Sequence, residues 1–416
     1  MDDLKREAGL AWRDRTVRWS VLGLLVLSLL ALGTGWADVA EQRTTLSELK
    51  ARVDVERAAA IDGQSDAGGA AYYAFHLTYS PPSALAFAAQ GVRDVLPYKH
   101  RMRMLALEGQ IYETDSQNVE LSSIGRLDFA FVVAVILPLF LILVLHDLRA
   151  SEARAGRFTL LCATSPDGAA LFWRRAAVRT LFLITVALVP FVVAALVSGA
   201  ALPGIAVVIG VLIGHALLWL ILSNWLASRI QHGATVLTVL LGLWLLSAVA
   251  VPAVGKQVVE NAVALPNGGE LLLLQRETVN AAWDRTKQET MDPFIKAHPQ
   301  WADYAEVSRP FEWKWYYAFQ WLGDDRAAAL STELREGVSQ RHRLMGFVAW
   351  LSPTLLTERL MARAADTDIP AYQRYENCVR AFHTSLREFH YPMLFGAIEY
   401  SEAAMARLPD YAPCDS

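Results

Sequence analysis

The sequence predicts a mainly α-helical, polytopic membrane protein with five transmembrane helices and a largely helical extracytoplasmic domain. Five uncharged stretches are long enough to cross a bilayer, which takes about 20 apolar residues. A long polar segment follows the first stretch, and a longer polar tail follows the last. The 416-residue chain is 54% hydrophobic with a mean hydropathy of +0.27, values that are high for a soluble protein and diluted by the two polar regions.

Charges and helix breakers set the predicted boundaries of the spans. The five spans comprise residues 19–37, 128–146, 180–198, 203–223 and 233–255. The region 180–228 is too long for one crossing, and Ser198-Gly199 with Pro203-Gly204 divides it into a helical hairpin. The leader, residues 1–18, is charged and amphipathic. Because the first span follows that leader and is long for a signal sequence, we interpret it as a retained anchor.

Basic residues in the short loops predict the orientation, because Lys and Arg are enriched on the cytoplasmic side. The leader carries five of them and the loop at 147–179 carries six, whereas the turn after the third span is uncharged. We therefore expect a multi-pass protein of the bacterial inner membrane with a cytoplasmic N-terminus. The insertion at 38–127, the C-terminal domain at 256–416 and the C-terminus itself would be periplasmic.

Several classes of function find no support in the sequence. A net charge of −4 gives no indication of nucleic-acid binding. There is no G-x-x-x-x-G-K-[ST], H-E-x-x-H, C-x-x-C or G-x-S-x-G motif, so we predict no catalytic residue and no metal site. His383 and His390 share a predicted helix face but lack a third ligand. Apart from Asp128 at the headgroup end of the second span, the spans contain no Asp, Glu, Lys or Arg along which protons could be coupled to transport.

His215 is the ionisable residue in the middle of a predicted span, which makes it a candidate intramembrane polar site. A hydrogen bond to a neighbouring helix is an equally weighted alternative. In the tail, Cys378 and Cys414 would meet an oxidising compartment, where a disulfide between them and two free thiols are equal alternatives.

The polar regions are predicted to be mostly helical. The insertion begins as a helix that continues out of the first span. We expect Ala71–Tyr79 to be extended, Ser83–Val95 to form a short helix, and Pro97–Arg103 to be an interfacial collar rather than a ligand site.

Two segments of the tail have unusual composition. The aromatic run Trp313–Trp321 favours a domain core or interface over a sugar-stacking surface. Leu344–Thr357 is uncharged but too short to span a bilayer. We expect Leu344–Thr357 to lie on the membrane surface or to pack within the tail domain.

The loop at 146–179 contains the most specific local pattern. A charged segment is followed by Gly156, an apolar helical turn and a Ser-Pro stop, which suits docking in a partner's groove. This pattern resembles the coupling helix of ABC-2-type permeases, which docks on the ATPase. The resemblance assigns an ATPase-coupling interface to Glu152, Arg154, Arg157, Phe158, Thr159, Leu160, Leu161, Ser165 and Pro166. Phe158 replaces the commoner glycine, which leaves the docking register open.

The resemblance extends over nearly the whole chain. The leader, with Trp12, Arg13 and Arg15, is similar to the family's elbow helix. The remainder is similar to a subgroup with a large extracytoplasmic insertion of unknown function after the first transmembrane helix. The segments that resemble this subgroup are Tyr98–Arg103, Gly125–Phe131, Ala281–Asp284, Trp315–Ala318 and Leu351–Pro353. Members usually have six spans, so we expect the last span to be missing here and the C-terminus to lie outside.

The resemblance implies a permease subunit of an ABC exporter. A separate cytoplasmic ABC ATPase subunit would bind ATP and magnesium, and this chain would hold no cofactor. Two permease subunits, identical or paralogous, would pair, and the outer domain could hand cargo to a periplasmic partner protein. A complex that transmits ATP-driven force or a signal without transport is one alternative. A membrane-anchored enzyme with its active site in the tail is the less favoured one.

Overall fold

A computed structural model of the protein describes residues 2–112, 127–164 and 168–414. The leader forms α1 (Asp2–Arg13), and α2 (Arg15–Asp62) then runs for 48 residues. Asp14 begins α2 by accepting a hydrogen bond from the backbone N–H of Thr16 at 2.9 Å, as helix-capping carboxylates do. The first predicted span is therefore part of one long helix that continues into the insertion.

The insertion contains short elements. These are α3 (Ala67–Tyr73), β1 (His76–Tyr79), β2 (Lys99–Met102) and α4 (Leu107–Tyr112), and β1 and β2 pair in an antiparallel ladder. The expected collar at Pro97–Arg103 is thus a strand of a hairpin. Arg101 in β2 forms an ion pair with Glu56 of α2 at 2.9 Å, and its guanidinium lies over the ring of Phe75.

Helices α5 to α10 form the apolar part of the protein together with the first half of α2. Helix α5 comprises Phe129–Phe131, a π-helical turn Val132–Ile136 and Leu137–Leu145, and it is followed by α6 (Leu148–Arg154), α7 (Phe158–Thr164), α8 (Gly168–Val197) and α9 (Leu202–Arg229). Helix α10 comprises Gly233–Leu245, a π-helical turn Leu246–Ala250 and Val251–Ala262.

Within the described residues, five helices are long and apolar enough to cross a membrane, namely α2, α5, α8, α9 and α10. Many of their large apolar side chains point away from the protein: Trp19 is 70% exposed, Leu181 59% and Ile221 55%. A belt of this kind is unfavourable in water and is what contact with lipid requires. The fold is therefore mainly helical, with five helices suited to cross a membrane. We call these five helices the bundle.

The tail forms six helices. They are α11 (Gly268–Ala281), α12 (Lys287–Ala297), α13 (Trp313–Ala349), α14 (Pro353–Ala364), α15 (Ile369–Leu394) and α16 (Glu402–Met405). The aromatic run at the start of α13 is largely buried, with Trp315 4%, Tyr317 2% and Phe319 0% exposed. It belongs to the core of a domain, as its composition predicts.

The insertion and the tail form a single polar domain around that core. Arg380 of α15 makes two hydrogen bonds of 2.9 Å to the carboxylate of Glu108 in α4. Asp324 of α13 accepts the N–H of Leu107 at 2.7 Å and pairs with Arg387 at 2.5 Å. Each of these buried charges has an opposite charge or a hydrogen-bond donor beside it. These contacts fix the position of the insertion relative to the tail.

A disulfide joins Cys378 of α15 to Cys414, with Cα atoms 6.1 Å apart. It fixes the end of the described chain to α15, across a separation of 36 residues. Cys162 is a free thiol in α7.

Two segments expected in the polar regions instead enter the bundle. Ser83–Val95 was expected to be a short helix, but residues 84–88 form turns, and only a 3₁₀ turn, Gly91–Asp94, follows. Leu85 and Phe87 are at most 5% exposed and belong to the bundle core. Gly35 of α2 permits this, because a Cβ there would collide with the carbonyl of Phe87.

The second segment is Leu344–Thr357, which we expected on the membrane surface or inside the tail domain. It forms the end of α13, a turn and the start of α14, and we call this unit, with the rest of α14, the tail hairpin. Helix α14 packs against α9 and against the π-helical turns of α5 and α10. Met361 and Ala365 belong to the bundle core. The expectation was wrong because the uncharged stretch finds its partners among the bundle helices.

Candidate functional site

The segment that resembles a coupling helix forms α7, which packs on α8 of the bundle through Phe158. Phe158 stacks on Phe172 of α8, with ring centroids 5.5 Å apart, and Phe172 is 1% exposed. The remaining face of α7 is open: Leu160 is 64% exposed, Thr159 is exposed and Leu161 is half-buried. An anchored helix with a free apolar residue can accept another protein on its outer face.

Charged residues hold α6 and α7 to the helices beside them. Glu152 of α6 accepts hydrogen bonds from Arg157 at 2.8 Å and from Arg175 of α8 at 2.9 Å. Arg175 also pairs with Glu7 of α1 at 3.2 Å, and Glu7 is only 5% exposed. One arginine thus connects the leader helix, the loop and α8. Arg154 is exposed and pairs with Asp147 at 2.5 Å.

Gly156 makes the sharp bend between α6 and α7. Its φ angle of +69° lies in the left-handed region, which glycine adopts without strain. The bend lets Arg157 fold back to Glu152. Ser165 and Pro166, which the sequence predicts as the stop after this helix, lie outside the described residues.

The leader lies beside this loop. Trp12, Arg13 and Arg15 are exposed at the junction of α1 and α2, and Trp12 makes an edge contact with Phe182 of α8 at 5.9 Å. A second ion pair joins the junction to α8, because Asp14 lies 3.0 Å from Arg179. The predicted elbow and coupling residues are therefore neighbours at one end of the bundle.

His215 lies in α9, away from the candidate loop, where the bundle contacts the tail hairpin. Its Nε2 lies 3.2 Å from the carbonyl oxygen of Ala134 in α5, and its Nδ1 lies 2.9 Å from Oγ1 of Thr357 in α14. The carbonyl can only accept, so Nε2 carries the proton and Nδ1 accepts from the threonine hydroxyl. Both ring nitrogens are satisfied, which favours the hydrogen-bonding interpretation over a titrating site.

Two prolines interrupt the backbone hydrogen bonds of the helices beside the tail hairpin. In α5, the N–H of Leu137 bonds to Val132 in the π-helical register, and the next residue is Pro138, which has no N–H. His215 donates to the carbonyl of Ala134 within this π-helical turn. In α10, the N–H of Val251 bonds to Leu246 in the π-helical register, and the next residue is Pro252.

Because Pro252 has no N–H, the carbonyl of Ser247 in α10 lacks a backbone donor, and it accepts a hydrogen bond from the tail hairpin instead. Ser352 donates its hydroxyl to Ser247 O at 2.6 Å, and Thr354 Oγ1 lies 3.0 Å from Ser247 Oγ. Ser352 Oγ also accepts the N–H of Leu355 and so caps α14. In an apolar bundle each unsatisfied carbonyl is costly, so these bonds fix the hairpin in place.

Sequence reasoning missed Thr357 and Ser352 of the hairpin, Ser247 of α10, and Glu7 and Phe172 beside the loop. The signal that could have located the hairpin is Pro252 inside a predicted span, since it must leave a carbonyl for another donor.

The two tail histidines lie in the domain core. His383 Nε2 lies 2.8 Å from the carbonyl of Leu105, and both His383 and His390 are 1% exposed. Burial lowers the pKa of His390 to about 4 and that of His383 well below its usual range. Within the described residues no group of three or more His, Cys, Asp or Glu side chains is placed to hold a metal ion.

Comparison with known proteins gives one match. Residues 269–413, about a third of the chain, match a family model described as a domain of unknown function, DUF3526. The matched region begins in α11, includes the tail hairpin and ends before Cys414. No curated protein and no solved structure matches.

Proposed function

We propose that this protein is the permease subunit of an ABC-2-type exporter of the bacterial inner membrane, driven by a separate cytoplasmic ATPase subunit. The supporting observation is the exposed α7, held to α1 and α8 through Glu152 and Arg175. ATP and magnesium are bound by the ATPase subunit, and a second permease subunit, identical or paralogous, completes the complex.

In this proposal α1, α6 and α7 face the cytoplasm, and the polar domain faces the periplasm. The excess of Lys and Arg at the α7 end supports that orientation. The disulfide between Cys378 and Cys414 suits an oxidising compartment on the other side.

The mechanism follows from the connections of α7. A displacement of α7 would be transmitted to α8 through Phe172 and Arg175. The ion pair between Arg175 and Glu7 would extend it to α1, and the packing of α8 against α2 and α9 would extend it to those helices. Movement of the ATPase subunits would therefore displace the helices of the bundle together.

The test purifies the tagged full chain from its own cells and identifies by mass spectrometry any co-purifying ATPase subunit, recognised by its G-x-x-x-x-G-K-[ST] phosphate loop. Leu160→Asp and Leu161→Asp place a charge on the exposed face of α7 and are expected to abolish co-purification of the ATPase. The matched control is Val55→Asp, a 71% exposed site on the polar domain. Equal recovery of the ATPase with all three variants would contradict the proposed docking surface.

A second candidate is a complex that transmits force to a periplasmic partner without moving cargo. One observation favours it: α2 runs unbroken from the α1 junction to Asp62 in the polar domain, a length of about 70 Å at 1.5 Å per residue. Stimulation of ATP hydrolysis by a bound periplasmic protein, with no cargo effect, would favour this candidate over export.

A further inference from the structure

The tail hairpin encloses a groove that the proposed function does not use. The groove has a volume of about 610 Å³ and lies between α13, α14 and the start of α15. Part of its lining is apolar, with Gly346, Ala349, Leu356 and Leu360. Its rim is charged. A cavity of this size can hold most of a ligand of several hundred daltons.

The rim has two arginines without a direct ion pair. Arg359 is half-buried, and its guanidinium donates to the carbonyl of His342 at 2.9 Å and contacts the imidazole at 3.1 Å. Among the described residues no carboxylate oxygen lies within 4.0 Å of Arg359 or Arg363, although the carboxylate of Asp368 acts on Arg359 from a greater distance. Burial lowers the pKa of His342, so the imidazole is a neutral acceptor rather than a further cation. A desolvated guanidinium in this position favours an incoming anion.

The other charges around the groove are already engaged. Arg374 is paired with Asp366. Asp368 accepts the N–H of Ala371 at 3.1 Å and caps α15. The rim therefore presents Arg359 and Arg363, one helical turn apart, as two adjacent donors.

Arg359 lies beside the bundle. It shares a neighbouring cleft with Asp128, the charged residue that caps the start of α5. The apolar lining continues along α14 from Leu360 to Leu356, toward the tip of the hairpin. That tip is exposed to the surroundings of the bundle, with Phe347 71%, Trp350 76% and Leu351 75% exposed.

We propose that this groove binds one anionic phospholipid of the periplasmic leaflet, with its phosphate on Arg359 and Arg363. The acyl chains would follow Leu356 and Leu360 toward the exposed tip of the hairpin. The phosphate completes the hydrogen bonding of Arg359, and the chains cover apolar surface that continues into the lipid phase. The proposal needs the membrane placement of the bundle but is independent of ATPase docking.

The test uses the full chain purified in mild detergent with equimolar phosphatidylglycerol and phosphatidylcholine, and native mass spectrometry counts retained lipids. We expect selective retention of phosphatidylglycerol. Each basic residue near an anionic lipid contributes about a fivefold gain in binding, so the double variant Arg359→Gln, Arg363→Gln should lose retention roughly tenfold or more. The matched control, Arg326→Gln with Arg407→Gln, removes two exposed charges elsewhere and should retain the lipid.

A second variant changes shape and leaves charge intact. At Gly346 an added Cβ would meet only Arg359 Nη2 at 3.6 Å, an ordinary contact, so Gly346→Leu should fill the groove and also reduce retention. If the double variant unfolds, Arg363→Gln alone, at an exposed site, gives the charge test. Equal retention of both lipids by the unaltered protein, unchanged retention in the variants, or complete displacement by millimolar inorganic phosphate would overturn the proposal.

Discussion

Oγ1 of Thr357 lies 2.9 Å from Nδ1 of His215, although the two residues are 142 positions apart in the chain. The bond joins the tail hairpin to the middle of α9. It also fixes the imidazole so that Nε2 donates to the carbonyl of Ala134 in the π-helical turn of α5. The tail is thereby an integral part of the bundle.

The first prediction concerns this bond. Thr357→Val preserves the side-chain shape but leaves Nδ1 of His215 buried without a donor. We expect a loss of about 1 kcal/mol in the free energy of unfolding, seen as a lower Tm in detergent. Hydrogen exchange in residues 344–364 should rise at the same time. Thr357→Ser retains the hydroxyl and serves as control; a Tm of Thr357→Val equal to that of the unaltered protein would show that the bond contributes nothing.

The second prediction concerns the ion network at the proposed ATPase interface. Arg175→Gln leaves the buried carboxylate of Glu7 and one oxygen of Glu152 without their cation. Loss of a charged hydrogen-bond partner costs about 1–3 kcal/mol, so α6 and α7 should loosen from α1 and α8. Hydrogen–deuterium exchange over residues 147–164 should increase, whereas Arg229→Gln, at an exposed site on α9, should leave it unchanged. The network has no structural role if both variants exchange alike.

The third prediction is a pH dependence that arises at Glu358. Burial, together with the nearby carboxylate of Asp128, raises the pKa of this carboxyl to about 7. Because the folded state holds the proton more tightly than the unfolded state, the stabilisation is fully present below about pH 4.5. It is lost as the pH rises through about 7.

Glu358→Gln removes this dependence. Relative to the variant, the unaltered protein should lose about 1–3 kcal/mol of stability between pH 5 and pH 8, measured as the difference in Tm. The buried histidines of the polar domain have lowered pKa values, so their contribution to stability changes with pH in the opposite direction. That contribution is the same in both proteins and cancels in the comparison. Glu399→Gln, an exposed carboxyl, is the control. A Tm difference that stays constant over this range would mean that Glu358 titrates normally.

The fourth prediction concerns the disulfide. Cys378→Ser opens a loop whose ends are 36 residues apart, and loop-closure entropy predicts a loss of about 2–4 kcal/mol in the polar domain. Proteolysis of the tail should accelerate, whereas Cys162→Ser should have no such effect. Non-reducing mass spectrometry of the protein from its native membrane should find residues 378 and 414 linked; two free thiols would contradict the pairing.

Much of the bundle could be predicted from the sequence because the absence of charge alone marks a helix that faces lipid. Residues 19–37, 128–146 and 233–255 each lie within or closely match an observed helix. Helix α8 begins at Gly168, before the predicted third span, and its first turns contain Arg174 and Arg175. When a helix extends beyond its apolar stretch, the charged residues of its first turns resemble a loop in the sequence. The start of the helix is then hard to predict.

The tail hairpin could not be predicted because an uncharged stretch of that length fits several locations equally well. Its position depends on Ser352, Thr354 and Thr357, whose partners lie more than 100 residues away. The candidate loop was easier, since Gly156 and the charges around it act locally. The connection of this loop to the leader through Glu7 could not be predicted, because one glutamate among basic residues does not indicate which arginine it will pair with.

The central claim is that α7 contacts a nucleotide-binding subunit, and photo-crosslinking from Leu160 tests it most directly. The full chain, with p-benzoylphenylalanine in place of Leu160, is expressed in its own cells and irradiated, and the adduct is identified by mass spectrometry. The account predicts an adduct with a protein that contains a G-x-x-x-x-G-K-[ST] phosphate loop, and none when the probe replaces Val55 on the polar domain. Adducts at Leu160 that contain no such protein, or the same adduct from Val55, would contradict it.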